Sequence, residues 1–131
     1  MENRKIKSRC IFINHGKILL CYDTVHNYYF FPGGSAIEGE KSEDTLRREI
    51  LEEFGTEIKN IKFLTTLSNV GENSDETIVM FQAEFVNSDR SQESEIPVLD
   101  MPQIQAIWVS MNDVSMGNIK ILPEFNYLKL L

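Results

Sequence analysis

The sequence has no long apolar run, little cysteine and little proline, and each shortage removes a class of protein. No stretch approaches the roughly 18 apolar residues of a membrane-spanning helix. The longest candidates, Cys10–Ile13 and Ile18–Tyr22, are strand-sized. The start, Met1-Glu2-Asn3-Arg4-Lys5, leads into no apolar segment of the signal-peptide kind, so a cytoplasmic protein without membrane attachment is expected. Two cysteines cannot build a disulfide scaffold. Cys10 and Cys21 lie in separate apolar runs and are expected as buried, reduced thiols. His15 and His26 have no second ligand at zinc-binding spacing. Basic residues are outnumbered, 13 against 20 acidic ones, for a net charge of −7. Such a chain repels a phosphate backbone, so nucleic acid is not an expected partner. No repeat, low-complexity tract or linker interrupts the sequence.

What is present is an ordinary globular composition, 42% hydrophobic and 25% charged over 131 residues. That length favours one domain, 1–131. Residues 6–13 and 17–22 read as strands joined by the turn-forming Asn14-His15-Gly16. Residues 28–31 are a third strand-like run, stopped by Pro32-Gly33-Gly34. A helix is expected over 42–54: Ser42 as N-cap, Glu43 and Asp44 in the first turn, Leu46, Ile50 and Phe54 as a buried stripe, and Gly55 past the end. Strands follow at 58–67, 76–86 and 103–110. The polar stretch 87–102, with Pro97 and Pro102, reads as a loop. Pro123 is expected to open a C-terminal helix that packs Phe125, Leu128 and Leu131. Strands and two helices in one domain make an α/β or α+β layered fold.

The chemistry concentrates in 32–56. On the helix, Glu43–Arg47 and Asp44–Arg48 are i,i+4 pairs in the favourable orientation, and Arg48 also reaches Glu52. Glu49, Glu52 and Glu53 form a like-charged cluster that costs a few tenths of a kcal/mol per pair. Glu49 has Thr45 one turn before and Glu53 one turn after, so no cation on its own helix is expected to offset the cluster. A divalent ion would reverse the sign, because Mg²⁺ takes carboxylate and phosphate oxygens as hard ligands. A bare acidic helix face is more often simply solvated. The glycines argue otherwise: Gly33-Gly34 after a strand lets backbone approach a ligand or offer a carbonyl, and Gly39-Glu40 turns the chain back toward the helix.

Gly34, Glu40 and the run Arg48-Glu49-Ile50-Leu51-Glu52-Glu53-Phe54-Gly55 resemble the box of the Nudix, or MutT-like, hydrolase family: Gly-x5-Glu-x7-Arg-Glu-U-x-Glu-Glu-x-Gly-U, with U a bulky aliphatic residue. Eight of nine defined positions fit, and only Thr56 departs. The approach Phe31-Pro32-Gly33-Gly34, the hairpin with Lys17-Ile18-Leu19-Leu20 and the strand around Trp108 are similar too. The resemblance implies an α/β fold, a Nudix-type α/β/α sandwich with a mixed β-sheet. It implies metal-dependent hydrolysis of a phosphoanhydride bond in a nucleoside diphosphate linked to another moiety, with Mg²⁺ or sometimes Mn²⁺ bound. Glu49 and Glu53 would be principal metal ligands, Glu52 a further or water-mediated one, and the Gly34 carbonyl a completing donor. Arg48 would hold the carboxylates, and Glu40 would support them. The partner would be a small-molecule nucleotide, and a homodimer is a form family members often take.

Other positions carry less. Thr56 costs packing that Ile58 could restore. Ile37 and Glu38 stand where the family often has a glutamate one position earlier, so Glu38 carries no expected role. Tyr29 occupies the aromatic position before the box, as a base-stacking or core residue. Arg9 could face a substrate phosphate or base. The general base is not set by the box: Glu93, Glu95 and Asp100 are the first candidates by position, then Glu72, Asp75 and Glu76. Residues 70–75 contain neither the Pro of ADP-ribose-type members nor the Tyr of dinucleoside-polyphosphate members. Nucleoside triphosphates or small nucleotide derivatives are therefore favoured over ADP-ribose or NDP-sugars. A non-catalytic nucleotide-sensing module is the competing class. Such modules often lose box carboxylates, and none is lost here.

Overall fold

β-branched and aromatic residues alternate between two faces along most of the chain, and the computed structural model resolves this pattern into sheets with helices on both sides. It describes residues 5–70, 75–87, 89, 95–99 and 101–131. One sheet runs β5 (Gly33–Ser35), β1 (Lys5–Ile11), β7 (Asp75–Phe85), β6 (Ile58–Val70). It is mixed, because β1 and β7 are parallel while β5 and β6 are antiparallel to their neighbours. The second sheet runs β2 (Ile13–Asn14), β3 (Lys17–Asp23), β9 (Ile104–Ser110), β8 (Glu95–Pro97), with β4 (Tyr28–Phe30) also pairing β3.

The two faces fill two cores, as the period of two along a strand requires. Cys10, Phe12, Leu19, Cys21, Phe81, Ala83 and Phe85 meet helix α1 (Ser42–Phe54) on one side. Ile11, Ile18, Leu20, Ile78 and Met80 meet the C-terminal segment on the other. Both cysteines are buried and unbridged. Among the described residues no helix is long and apolar enough to cross a membrane.

Several expected boundaries move. The run 6–13 is not one strand: it breaks at Phe12, so that β1 joins one sheet and β2 the other. Phe12 there stacks on Phe85, with ring centroids 4.0 Å apart. The hairpin turn is as expected, with His15 and Gly16 both at positive φ, 49° and 76°. β5, which begins at Gly33, lies where no strand was expected. The stretch read as a loop holds β8, whose Ile96 is fully buried, and Val98 is buried beside it. A short helix α2 (Met111–Ser115), capped by the Ser110 hydroxyl, was also not foreseen.

Helix α1 has the expected span, but its N-cap is Lys41, which makes no side-chain capping bond, and not Ser42. Ser42 is the first helical residue, and its carbonyl accepts a hydrogen bond from the fully buried Ser8 hydroxyl at 2.8 Å. The C-terminal helix is absent. In a helix opened by Pro123, the Pro123 carbonyl would accept from the Tyr127 N–H. Here it accepts from the Tyr127 hydroxyl, while the Tyr127 N–H donates to Phe125. Only a 3-10 turn forms, Tyr127–Leu130. Tyr127 is the buried anchor, edge-on to Phe31, whereas Phe125 and Leu131 are exposed.

Candidate active site

The site forms where β5 touches both β1 and α1. Gly33 sits at φ 138°, and a Cβ there would lie 1.9 Å from the Ser8 carbonyl oxygen, so only glycine lets β5 pass this close to β1. Its N–H donates to Glu53 Oε1 at 3.3 Å. A Cβ on Gly34 would lie 2.3 Å from the Glu49 carboxyl. Two successive glycines thus admit two carboxylates from one face of α1, one turn apart.

Glu53 is 4% exposed. Burial pushes its carboxyl up to about 8; the positive charge of Arg9 opposes the shift, and the neighbouring Glu49 carboxylate adds to it. Glu49 is less enclosed and accepts from Arg48 Nη1 at 2.9 Å. The expectation that Glu49 lacks a cation on its own helix is therefore corrected: adjacent residues on α1 rarely face each other, but the long guanidinium folds back over the helix. Arg48 turns to the carboxylates in place of Asp44. Its Nε and Nη2 form a fork on both oxygens of Glu40, at 2.9 and 3.1 Å. Nη2 also donates to the Ser35 carbonyl at 2.9 Å, and Nη1 to Glu52 at 3.2 Å. Glu40 further accepts from the Ile37 N–H and the Thr45 hydroxyl, and these donors, Arg48 first, hold its carboxyl down at about 2. Glu40, Arg48 and Ser35 thereby pin loop, helix and strand together (a fixed frame behind Glu49).

The donor set suits a hard divalent ion. Glu49 and Glu53 bring negative oxygens together beside Gly33 and Gly34, and the burial of Glu53 is unfavourable for its charge until a cation joins it. Glu52 lies at the rim, its side chain 46% exposed and bonded to Arg48. Among the described residues no three His, Cys, Asp or Glu side chains gather as a ready metal cage. Were an ion bound here, the pair Glu49–Glu53 would form the core of its donor set, and Glu52 would join by leaving Arg48 or through water.

A cavity of about 530 Å³ opens nearby. Arg9 lines it, and its register partner on β5 is Gly33, the residue that bonds Glu53. The Arg9 guanidinium donates to the Phe31 carbonyl at 3.2 Å and lies 5.3 Å from the centre of the Phe30 ring. Tyr28 and Phe30 line the cavity, whereas Tyr29 points to the other face of β4, where it packs on Tyr22 at 4.7 Å. Sequence reasoning singled out Tyr29 and passed over its two neighbours, although strand alternation already says that 28 and 30 share a face that 29 does not. Lys7, Met80 and Tyr127 also line the cavity and were not foreseen.

The remaining candidates scatter. Glu95 is exposed at the start of β8, on the edge of the second sheet. Glu93, Asp100 and Glu72 lie outside the described residues. Asp75 opens β7, and Glu76 lines the cavity in an ion pair with Lys7. Thr56 is buried: its hydroxyl accepts from the Asn87 N–H at 3.2 Å and ties the end of α1 to the end of β7, while Ile58 fills the core.

A family model described as the NUDIX domain matches residues 4–127. No curated protein matches the chain in sequence. Among solved structures, the MutT NUDIX hydrolase of Burkholderia pseudomallei is similar at TM-score 0.70 and 20% identity, covering 85% of this chain and 86% of that one. The E. coli ORF135 protein is similar at TM-score 0.69 and 18% identity, over 98% and 86%. The mutator MutT protein of Bacillus halodurans is similar at TM-score 0.64 and 25% identity, over 84% and 71%.

Proposed function

The chain belongs to the NUDIX family as a pyrophosphohydrolase of nucleoside diphosphate derivatives, and on that premise we propose that it hydrolyses nucleoside triphosphates or similarly small nucleotides with a divalent ion held by Glu49 and Glu53. The observation that carries this reading is the meeting of these two carboxylates, one of them buried, against a pair of glycines that leaves room for nothing larger. Glu49 and Glu53 would hold Mg²⁺ or Mn²⁺ there, and the ion would supply charge neutralisation and Lewis acidity toward the diphosphate.

The chain's own groups do the rest. Arg48 keeps Glu49 in place through its fork on Glu40. Glu52, bonded to Arg48 at the rim, would complete the donor set by leaving Arg48 or through a water. Arg9, between the cavity and Glu53, offsets charge that develops on the phosphoryl group as water adds to phosphorus and the bridging P–O bond breaks. The aromatic cavity beside it takes the nucleoside. Its volume, about 530 Å³, suits one small ligand.

Release of phosphate or pyrophosphate from a panel of nucleoside triphosphates, ADP-ribose, NDP-sugars and diadenosine polyphosphates, with Mg²⁺ and with Mn²⁺, tests the reading. Turnover of the triphosphates above the rest is the expected result. Preference for ADP-ribose or an NDP-sugar overturns the substrate class, and undiminished turnover in EDTA overturns the metal.

A further inference from the structure

One end of the cavity carries a polar cluster that the hydrolytic reading does not use. Lys7 Nζ lies 2.7 Å from Glu76 Oε2, and Asn69 Nδ2 donates to Glu76 Oε1 at 3.3 Å. All three side chains line the cavity. Lys7 stands two residues before Arg9 on β1, so both project from the same face. The cavity therefore runs from Arg9, beside Glu53, to this cluster, with the rings of Tyr28 and Phe30 along its wall. Rings there offer stacking to a flat base but do not distinguish one base from another, because every base has a π-face. Hydrogen bonds to the base edge do distinguish them.

We propose that Lys7, Glu76 and Asn69 form the specificity end of the substrate cavity and select bases whose edge sets an N–H donor beside a carbonyl acceptor, as in guanine, hypoxanthine and uracil. The inference rests on the cavity being the nucleotide site. The carboxylate of Glu76 can only accept, and the ammonium of Lys7 can only donate. Lys7 and the Nδ2 of Asn69 both donate to Glu76 and keep N–H bonds to spare after pairing with it; the amide oxygen of Asn69, its acceptor end, is the end not turned to Glu76. The complementary edge has one N–H for Glu76 and an adjacent atom able to accept from two donors. A carbonyl oxygen has two lone pairs and meets that need, whereas the ring nitrogen beside the amino group of adenine or cytosine has one. The charges of Glu76 and Lys7 strengthen the bonds those two make.

The test compares kcat/KM for GTP, ITP, UTP, ATP and CTP in the native protein, in Glu76→Gln and in the double variant Lys7→Glu/Glu76→Lys, with thermal melting to verify folding. Binding of the five nucleoside monophosphates without metal is followed in parallel by calorimetry. The native protein should favour the carbonyl-edged bases by about tenfold or more, mainly through KM. Glu76→Gln should erase most of that preference. The double variant restores the ion pair but exchanges donor and acceptor, so it should not restore the ranking. A purely structural ion pair predicts the opposite: the double variant would recover the native ranking, and that result overturns the inference. A native preference for ATP or CTP, or one unchanged in both variants, overturns it as well while leaving the hydrolytic reading intact. Base-ranked binding that disappears in Glu76→Gln, with no turnover of any triphosphate, upholds the inference and overturns the hydrolytic reading. Neither turnover nor base-ranked binding overturns both.

Discussion

Glu53 is the residue on which most depends. Its carboxyl is buried, and its titration is raised from the usual 4.5 to about 8. A group raised in this way contributes stability that is fully present below 4.5 and is lost as pH climbs through 8. The metal-free protein should therefore melt at a lower temperature at pH 9 than at pH 6, and Glu53→Gln, which carries no charge, should flatten that dependence. Bound Mg²⁺ or Mn²⁺ competes with the proton, so its affinity should rise over the same interval. Calorimetric titration with Mn²⁺ at pH 6, 7 and 8 measures this, and equal affinity at all three would remove Glu53 from the site. Gly34 is the second decisive position. Gly34→Ala puts a methyl group into the Glu49 carboxyl. It should cut turnover by at least tenfold with a fold that still melts cooperatively, whereas Glu38→Gln, off the motif, should leave turnover unchanged.

At the scale of elements, α1 is held at three places. Its stripe of Leu46, Ile50 and Phe54 is fully buried, and Ile50→Ala should cost about 2–5 kcal/mol in denaturant unfolding. Its start is held by Ser8 and not by its own cap. Ser8→Ala should cost about 1 kcal/mol, while Ser42→Ala should fall within about 0.5 kcal/mol of the native protein; the reverse order would restore Ser42 as the cap. Arg48 ties the middle of α1 to Glu40 and Ser35. Lysine cannot form the fork, so Arg48→Lys should lose much of the activity although it keeps the charge. The helix span was legible because apolar spacing and Gly55 are local signals. What holds its start was not, because Ser8 comes from 34 residues away. The C-terminal helix was misread for a related reason: Tyr127 fills a socket beside Phe31 that no local pattern announces.

For the whole molecule, box spacing alone brought Gly34, Glu40, Arg48, Glu49 and Glu53 to one place, because strand, tight loop and helix adjoin in sequence. The cavity wall was not readable in that way. Lys7 and Arg9 from β1, Asn69 from β6 and Glu76 from β7 meet only through sheet pairing across the chain, and Tyr127 from the last turn joins them by packing on Phe31. A ligand that bridges these parts should stabilise all of them together. Mg²⁺ with a non-hydrolysable triphosphate at about 100 times its Kd should add about 2.7 kcal/mol to unfolding, seen as a rise in melting temperature that EDTA reverses. The most direct test of the central claim is turnover of the preferred triphosphate by native protein, Glu49→Gln and Glu53→Gln side by side with saturating Mg²⁺, each variant verified as folded. Loss of turnover by orders of magnitude in both variants is the predicted result. Near-native turnover in both would contradict the assignment of these carboxylates as the metal-holding pair.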